Sequence, residues 1–128
     1  MSPQPVHGLQ KIMAFVATED AARAKAFYRD TLALPLISDD GFALVFDVQG
    51  IMLRVQLVKK ASVAPYTVLG WQVEDIISTA LALERAGVKF ARYPGLEQDE
   101  HGVWGAPGGA KVAWFHDPDG NTLSITEF

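Results

Sequence analysis

Two stretches of this 128-residue chain recur at fixed offsets, and both offsets join segments of similar pattern. Residues 13–20, Met-Ala-Phe-Val-Ala-Thr-Glu-Asp, shifted by 55 fall on Val-Leu-Gly-Trp-Gln-Val-Glu-Asp at 68–75. Residues 45–56 shifted by 70 fall on 115–126, where Gly50 meets Gly120, Leu53 meets Leu123 and Val55 meets Ile125. Duplication fixes architecture before any motif does, because each copy must bury its apolar face against the other. The expected fold is α+β, with two βαβββ modules at about 9–58 and 66–128 inside one domain spanning 1–128. They should build a curved mixed sheet with a concave pocket along the pseudo-symmetry axis.

Local signals agree with that plan. Lys11–Ala17 reads as a strand, and Asp20 is a suitable N-cap for a helix over Ala21–Leu32 that ends before Pro35. Phe42–Asp47 and Ile51–Val58 form a hairpin around Val48-Gln49-Gly50. In the second copy Val68–Val73 is a strand, Asp75 caps a helix over Ile76–Ala86, and Gly87 stops it. Val88–Arg92 reads as a strand, and Tyr93–Ala110 is long and irregular. Lys111–His116 and Thr122–Phe128 close the chain as a hairpin around Asp117-Pro118-Asp119-Gly120, where Pro and Gly suit the two corners of a turn.

Period-two alternation assigns the faces. Leu53, Val55, Leu57, Leu123 and Ile125 should lie under the helices. The opposite set should line the concavity: Met13, Phe15 and Ala17, then Met52, Arg54 and Gln56, then Tyr66, Val68 and Gly70, then Ser124 and Thr126. One Arg, one Gln and several hydroxyls among large apolar groups suit a small-molecule pocket. The other reading is a face that packs on a second subunit or stays wet.

Composition narrows the partners. Fifteen acidic against eleven basic residues, with Lys59-Lys60 the only basic doublet, give no patch for nucleic acid or an acidic membrane. Without cysteine there is no disulfide, thiolate nucleophile or Cys-ligated metal, which fits a cytoplasmic protein. No apolar run approaches membrane-span length, and Met-Ser-Pro-Gln-Pro reads as a short mobile arm.

Residues 24–36 (Ala-Lys-Ala-Phe-Tyr-Arg-Asp-Thr-Leu-Ala-Leu-Pro-Leu) and 114–125 (Trp-Phe-His-Asp-Pro-Asp-Gly-Asn-Thr-Leu-Ser-Ile) resemble the glyoxalase/bleomycin-resistance/extradiol-dioxygenase group, the vicinal oxygen chelate superfamily. The likeness runs from about Leu9 to the C-terminus. It implies proteins that often work as dimers, with a concave site on each curved sheet. Its enzymes commonly hold one divalent ion there, and other members only bind and sequester drugs.

In metal-dependent relatives the ligands are His, Gln or Glu on the first and fourth strands of each module. The resemblance puts those positions on Met13, Arg54, Val68 and Ser124, and the two offsets relate the same pairs. A thioether, a guanidinium, an isopropyl and a lone hydroxyl make no divalent-ion site, so no metal and no cofactor are expected. The histidines do not replace it. His7 lies in the arm, His116 precedes the turn, and His101 sits in Gln98-Asp99-Glu100-His101, read as a solvated charged patch.

Arg54 has two readings: a fixed cation for a ligand's carboxylate, phosphate or enolate-like oxygen, or a partner for Asp47 that snorkels to solvent. Trp104, in a Gly/Pro-flanked loop, either closes over a ligand or anchors that loop. Trp71 falls on the core set, and Trp114 fits either face. Two functions follow. One is a metal-free module, a homodimer binding an anionic or neutral small molecule through Met13, Phe15, Arg54, Gln56, Tyr66, Val68, Trp104, Ser124 and Thr126. The alternative is a lyase, isomerase or dioxygenase-type enzyme with a non-standard site; no acid or base on the inferred floor points to it.

Overall fold

The computed structural model describes residues 8–128, so the expected arm and its His7 lie outside the described residues. Strand β1 (Met13–Thr18) leads into helix α1 (Ala21–Lys25), then β2 (Leu36–Asp39), β3 (Ala43–Val48) and β4 (Ile51–Leu57). The second copy holds β5 (Thr67–Gln72), α2 (Ile76–Arg85), β6 (Trp104–Gly105), β7 (Lys111–His116) and β8 (Thr122–Glu127). The strand orders are β1-β4-β3-β2 and β5-β8-β7-β6, one arrangement used twice. In each, the first strand runs parallel to the fourth and the remaining pairs are antiparallel.

Register confirms the repeat at residue level. The offsets of 55 and 70 carry Phe15 and Arg54 onto Gly70 and Ser124, and both pairs are register partners. The expected mixed sheet is built as two four-stranded sheets, one from each module. Their edge strands β1 and β5 run close together without forming a ladder.

Three further expectations change. The first helix is α-helical only to Lys25 and continues as a π-helical turn over Ala26–Thr31. Its exit places Ala33 at φ 58° before Pro35, with the Leu34 N–H on the Tyr28 carbonyl. Strand β2 was not foreseen, since Leu36-Ile37-Ser38-Asp39 is short, half polar and bulged against β3. Residues 88–92 form no strand and make one backbone bond to β7, Ala91 N–H to the Trp114 carbonyl; their apolar alternation reflects Val88 and Phe90 packing on the core. Both helix caps are as expected: Asp20 accepts from Arg23 N–H, and Asp75 from the N–H groups of Ile77 and Ser78.

A single core joins the modules. Tyr28, Leu44, Phe46, Leu53 and Val55 from the first copy pack with Ile76, Phe115, Leu123 and Ile125 from the second. Full burial of each such side chain contributes about 1.5–3 kcal/mol. Phe27 bridges the copies, its ring 5.1 Å from Tyr28 and 6.4 Å from Phe115.

The Asp-Pro-Asp-Gly-Asn turn is the polar seam. Asp117, only 5% exposed, accepts from Tyr28 Oη at 2.6 Å, from Asn121 Nδ2 at 2.8 Å, and from the N–H groups of Asp119 and Asn121. Asp119 accepts from Thr18 Oγ1 at 2.6 Å and from the Glu19 N–H, and Asn121 Nδ2 reaches the Ala17 carbonyl. Burial, reinforced by the charge and hydrogen bond of Asp117, holds the Tyr28 hydroxyl far above its ordinary pKa, so it stays a donor. The two aspartates of the turn are therefore structural.

Candidate functional site

The faces turned away from the core carry the candidate residues. Along sheet 1, Phe15, Arg54, Val45 and Ser38 stand side by side on β1, β4, β3 and β2. One step further along, Met13, Met52 and Asp47 form the next row, and Ala17, Gln56 and Ala43 the row on the other side. Leu53 and Val55 point into the core at 1% exposure, while Met13, Phe15 and Met52 are 45%, 53% and 40% exposed. The face assignment thus holds in this sheet, except that Leu57 is 41% exposed at the strand end.

Arg54 is half-buried in the middle of this apolar face. It enters none of the ion pairs among the described residues, and the expected alternative partner Asp47 instead caps its hairpin by accepting from the Gly50 N–H. Asp40 is the carboxylate that feels Arg54. Its pKa is lowered first by the N–H groups of Phe42 and Ala43 and then by the Arg54 charge, and its Oδ1 is committed to those two N–H groups.

A cavity of about 670 Å³ opens beside that row. Met13, Met52, Ile37 and Val45 line it together with the segment Gly8–Ile12. Sequence reasoning placed Met13 and Met52 on that face but missed Ile37 and Val45, whose strands were absent from or unassigned on it. Arg54 stands just outside it, next to Val45 across the ladder and two residues from Met52 on the same face.

Sheet 2 offers a different surface. Gly70, Ser124 and Trp114 form one row, and Gln72, Thr126, Val112 and Trp104 the next. Trp104 packs against Trp114 in a tilted pair, ring centroids 5.9 Å apart and planes at 33°, and Tyr93 meets Trp114 edge-on at 5.5 Å. Trp114, left open by the sequence, belongs to this face, and Trp71 packs on the core as expected. A Cβ at Gly70 would come 2.7 Å from Ser124 Oγ, so the glycine makes room for that hydroxyl. Val68 lies in a bulge of β5 at 40% exposure, and Tyr66 precedes the strand at 66%. The nine candidate residues are thus shared between the two sheets: Met13, Phe15, Arg54 and Gln56 on one, Val68, Trp104, Ser124 and Thr126 on the other, with Tyr66 before β5.

The polar patch at 98–101 is more ordered than the sequence suggested. Gln98 ties the Ala91 and Gly102 carbonyls to the Tyr93 N–H, and Asp99 accepts from the N–H groups of His101 and Val103. His101 Nδ1 faces Glu84 on α2 at 3.2 Å, with Glu100 near its other nitrogen. The loop is folded by its own side chains, and that holds Trp104 in place.

The positions assigned to a divalent ion by resemblance hold a thioether, a guanidinium, an isopropyl and a hydroxyl. This set does not fit such an ion, which recovers its lost hydration only from several oxygen or nitrogen donors. Among the described residues no three His, Cys, Asp or Glu side chains cluster as a metal site, and no helix is long and apolar enough to cross a membrane.

A family model described as the Glyoxalase/Bleomycin resistance protein/Dioxygenase superfamily matches residues 8–125. Among solved structures, a glyoxalase/bleomycin resistance protein/dioxygenase from Alicyclobacillus acidocaldarius is 18% identical, with a TM-score of 0.67 over 93% of this chain and 91% of that one. A lactoylglutathione lyase from Agrobacterium tumefaciens is 17% identical, with a TM-score of 0.69 over 96% and 95%. A glyoxalase family protein from Bacillus anthracis is 15% identical, with a TM-score of 0.75 over 97% and 98%. At these identities the structures speak for the fold. No curated protein matches the chain.

Proposed function

The chain belongs to the glyoxalase/bleomycin resistance protein/dioxygenase superfamily, and from that premise we propose that it binds a small anionic or neutral molecule on its open sheet face without a divalent metal. The observation that carries this reading is Arg54, a half-buried guanidinium among Phe15, Val45 and Met52 with no ion-pair partner among the described residues. A cation partly removed from water and unpaired attracts an oxyanion strongly, and its planar fork favours a carboxylate or phosphate. Repulsion from the same charge opposes a divalent ion and a cationic drug. Gln56, on the same strand face, supplies neutral donors and an acceptor for orientation.

The exposed apolar groups around Arg54 also support a symmetric homodimer, because such a face is costly to leave wet. A single-chain mass by light scattering at micromolar concentration would reject the dimer. For the binding reading, metal analysis of protein purified without added metal should give well under one ion per chain, and mass spectrometry should find an acidic or neutral co-purified molecule. Arg54→Ala should release it while leaving the melting temperature nearly unchanged. Stoichiometric metal, or retention of the molecule by that variant, overturns the reading.

A further inference from the structure

The cavity beside Arg54 is lined mainly by apolar side chains, and the inference drawn from it deepens the binding reading on which it rests. We infer that the guest is an amphiphilic acid, with its anionic head on Arg54 and a flexible apolar tail laid into the trough of Met13, Met52, Ile37 and Val45. Three observations meet here. The trough holds about 670 Å³, within the usual range for drug-sized ligands. Its walls next to Arg54 are thioether and branched alkyl groups, and methionine moulds itself to chains of varied shape. Register makes head and tail sites continuous: Val45 is the cross-strand neighbour of Arg54, and Met52, two residues before Arg54, shares its face. The two charged lining residues, Lys11 and Asp47, are of opposite sign and add no net charge to the trough.

The tilted Trp104–Trp114 pair on the other sheet offers the competing surface, and it would favour a planar ring. The two are separable by calorimetry with straight-chain alkanoates of four to ten carbons and with benzoate and naphthoate as planar probes. Each added methylene should tighten binding about fourfold until the trough is full, the gain expected for a buried CH₂. Met52→Gln, at an exposed position that leaves the core intact, should flatten that dependence without removing the weak binding of the four-carbon acid. Arg54→Gln should weaken every alkanoate by a similar factor.

Affinity that is independent of chain length yet sensitive to Arg54→Gln would overturn the tail site while leaving the anion anchor standing. Tighter binding of the planar acids than of alkanoates, lost in Trp104→Ala, would overturn it by placing the guest on sheet 2. No binding of any probe would overturn the amphiphilic acid as guest. The co-purified molecule and the metal content test the broader reading independently.

Discussion

Tyr28 donates its hydroxyl to Asp117 Oδ2 at 2.6 Å and so fastens the first helical segment to the closing turn of the other copy. Both groups are buried, and Asp117 keeps three other donors, so the bond is one strand of a fully satisfied network. Tyr28→Phe removes one donor and little volume. It should lower unfolding free energy by about 1–3 kcal/mol, measured by urea titration, with the fold and the urea slope unchanged. A loss below about 0.3 kcal/mol would mean that water replaces the hydroxyl without cost.

Alkaline pH should act through the same residue. Folding raises the Tyr28 pKa above its ordinary value of 10.0, because burial and the neighbouring carboxylates disfavour the phenolate. Its contribution is therefore complete below pH 10 and declines above it, where the unfolded chain loses the proton that the folded chain retains. The slope approaches about 1.4 kcal/mol per pH unit. Between pH 10 and 11.5 wild type should lose stability faster than Tyr28→Phe; parallel curves would contradict the linkage.

Ala33 offers a gain. It sits at φ 58° where the helical segment exits, a conformation that places its Cβ against the following carbonyl. Ala33→Gly should raise stability by about 1 kcal/mol, less the added freedom of the unfolded chain. A lower melting temperature would show that the left-handed turn is not strained.

Gly70 and Ser124 should be coupled. A Cβ at position 70 must displace the Ser124 hydroxyl, so Gly70→Ala alone should be less stable than Gly70→Ala made in a Ser124→Ala background. The double-mutant cycle should return a coupling of about 0.5–3 kcal/mol. Strict additivity would mean that the serine rotates away freely.

The repeat made the fold legible, since two offsets showed one module used twice, and the register of the structure carries Phe15–Arg54 onto Gly70–Ser124. The caps were legible because Asp20 and Asp75 act within three residues. What stayed hidden depends on contacts that no short window contains. Strand β2 is defined by its partner β3 rather than by its own polar sequence, and residues 88–92 alternate like a strand because the core pulls on them. The same limit applies to the site. Alternation identified Met13, Arg54 and Met52 as neighbours on one face. It did not show that Ile37 and Val45 would join them as a trough, nor that Trp104 and Trp114 would pair on the other sheet.

The seam at Asp117 and Asp119 also sets a timetable for the nascent chain. Tyr28 waits 89 residues for its partner and Thr18 waits 101. At translation rates of about 5–20 residues per second, that delay is roughly 5–20 s. Once Leu57 has been made the first module has all its strands, yet its two hydroxyls still lack their carboxylate partners and its half of the shared core lacks its cover. The turn that carries Asp117 and Asp119 is thus the piece that lets the first module close its polar seam.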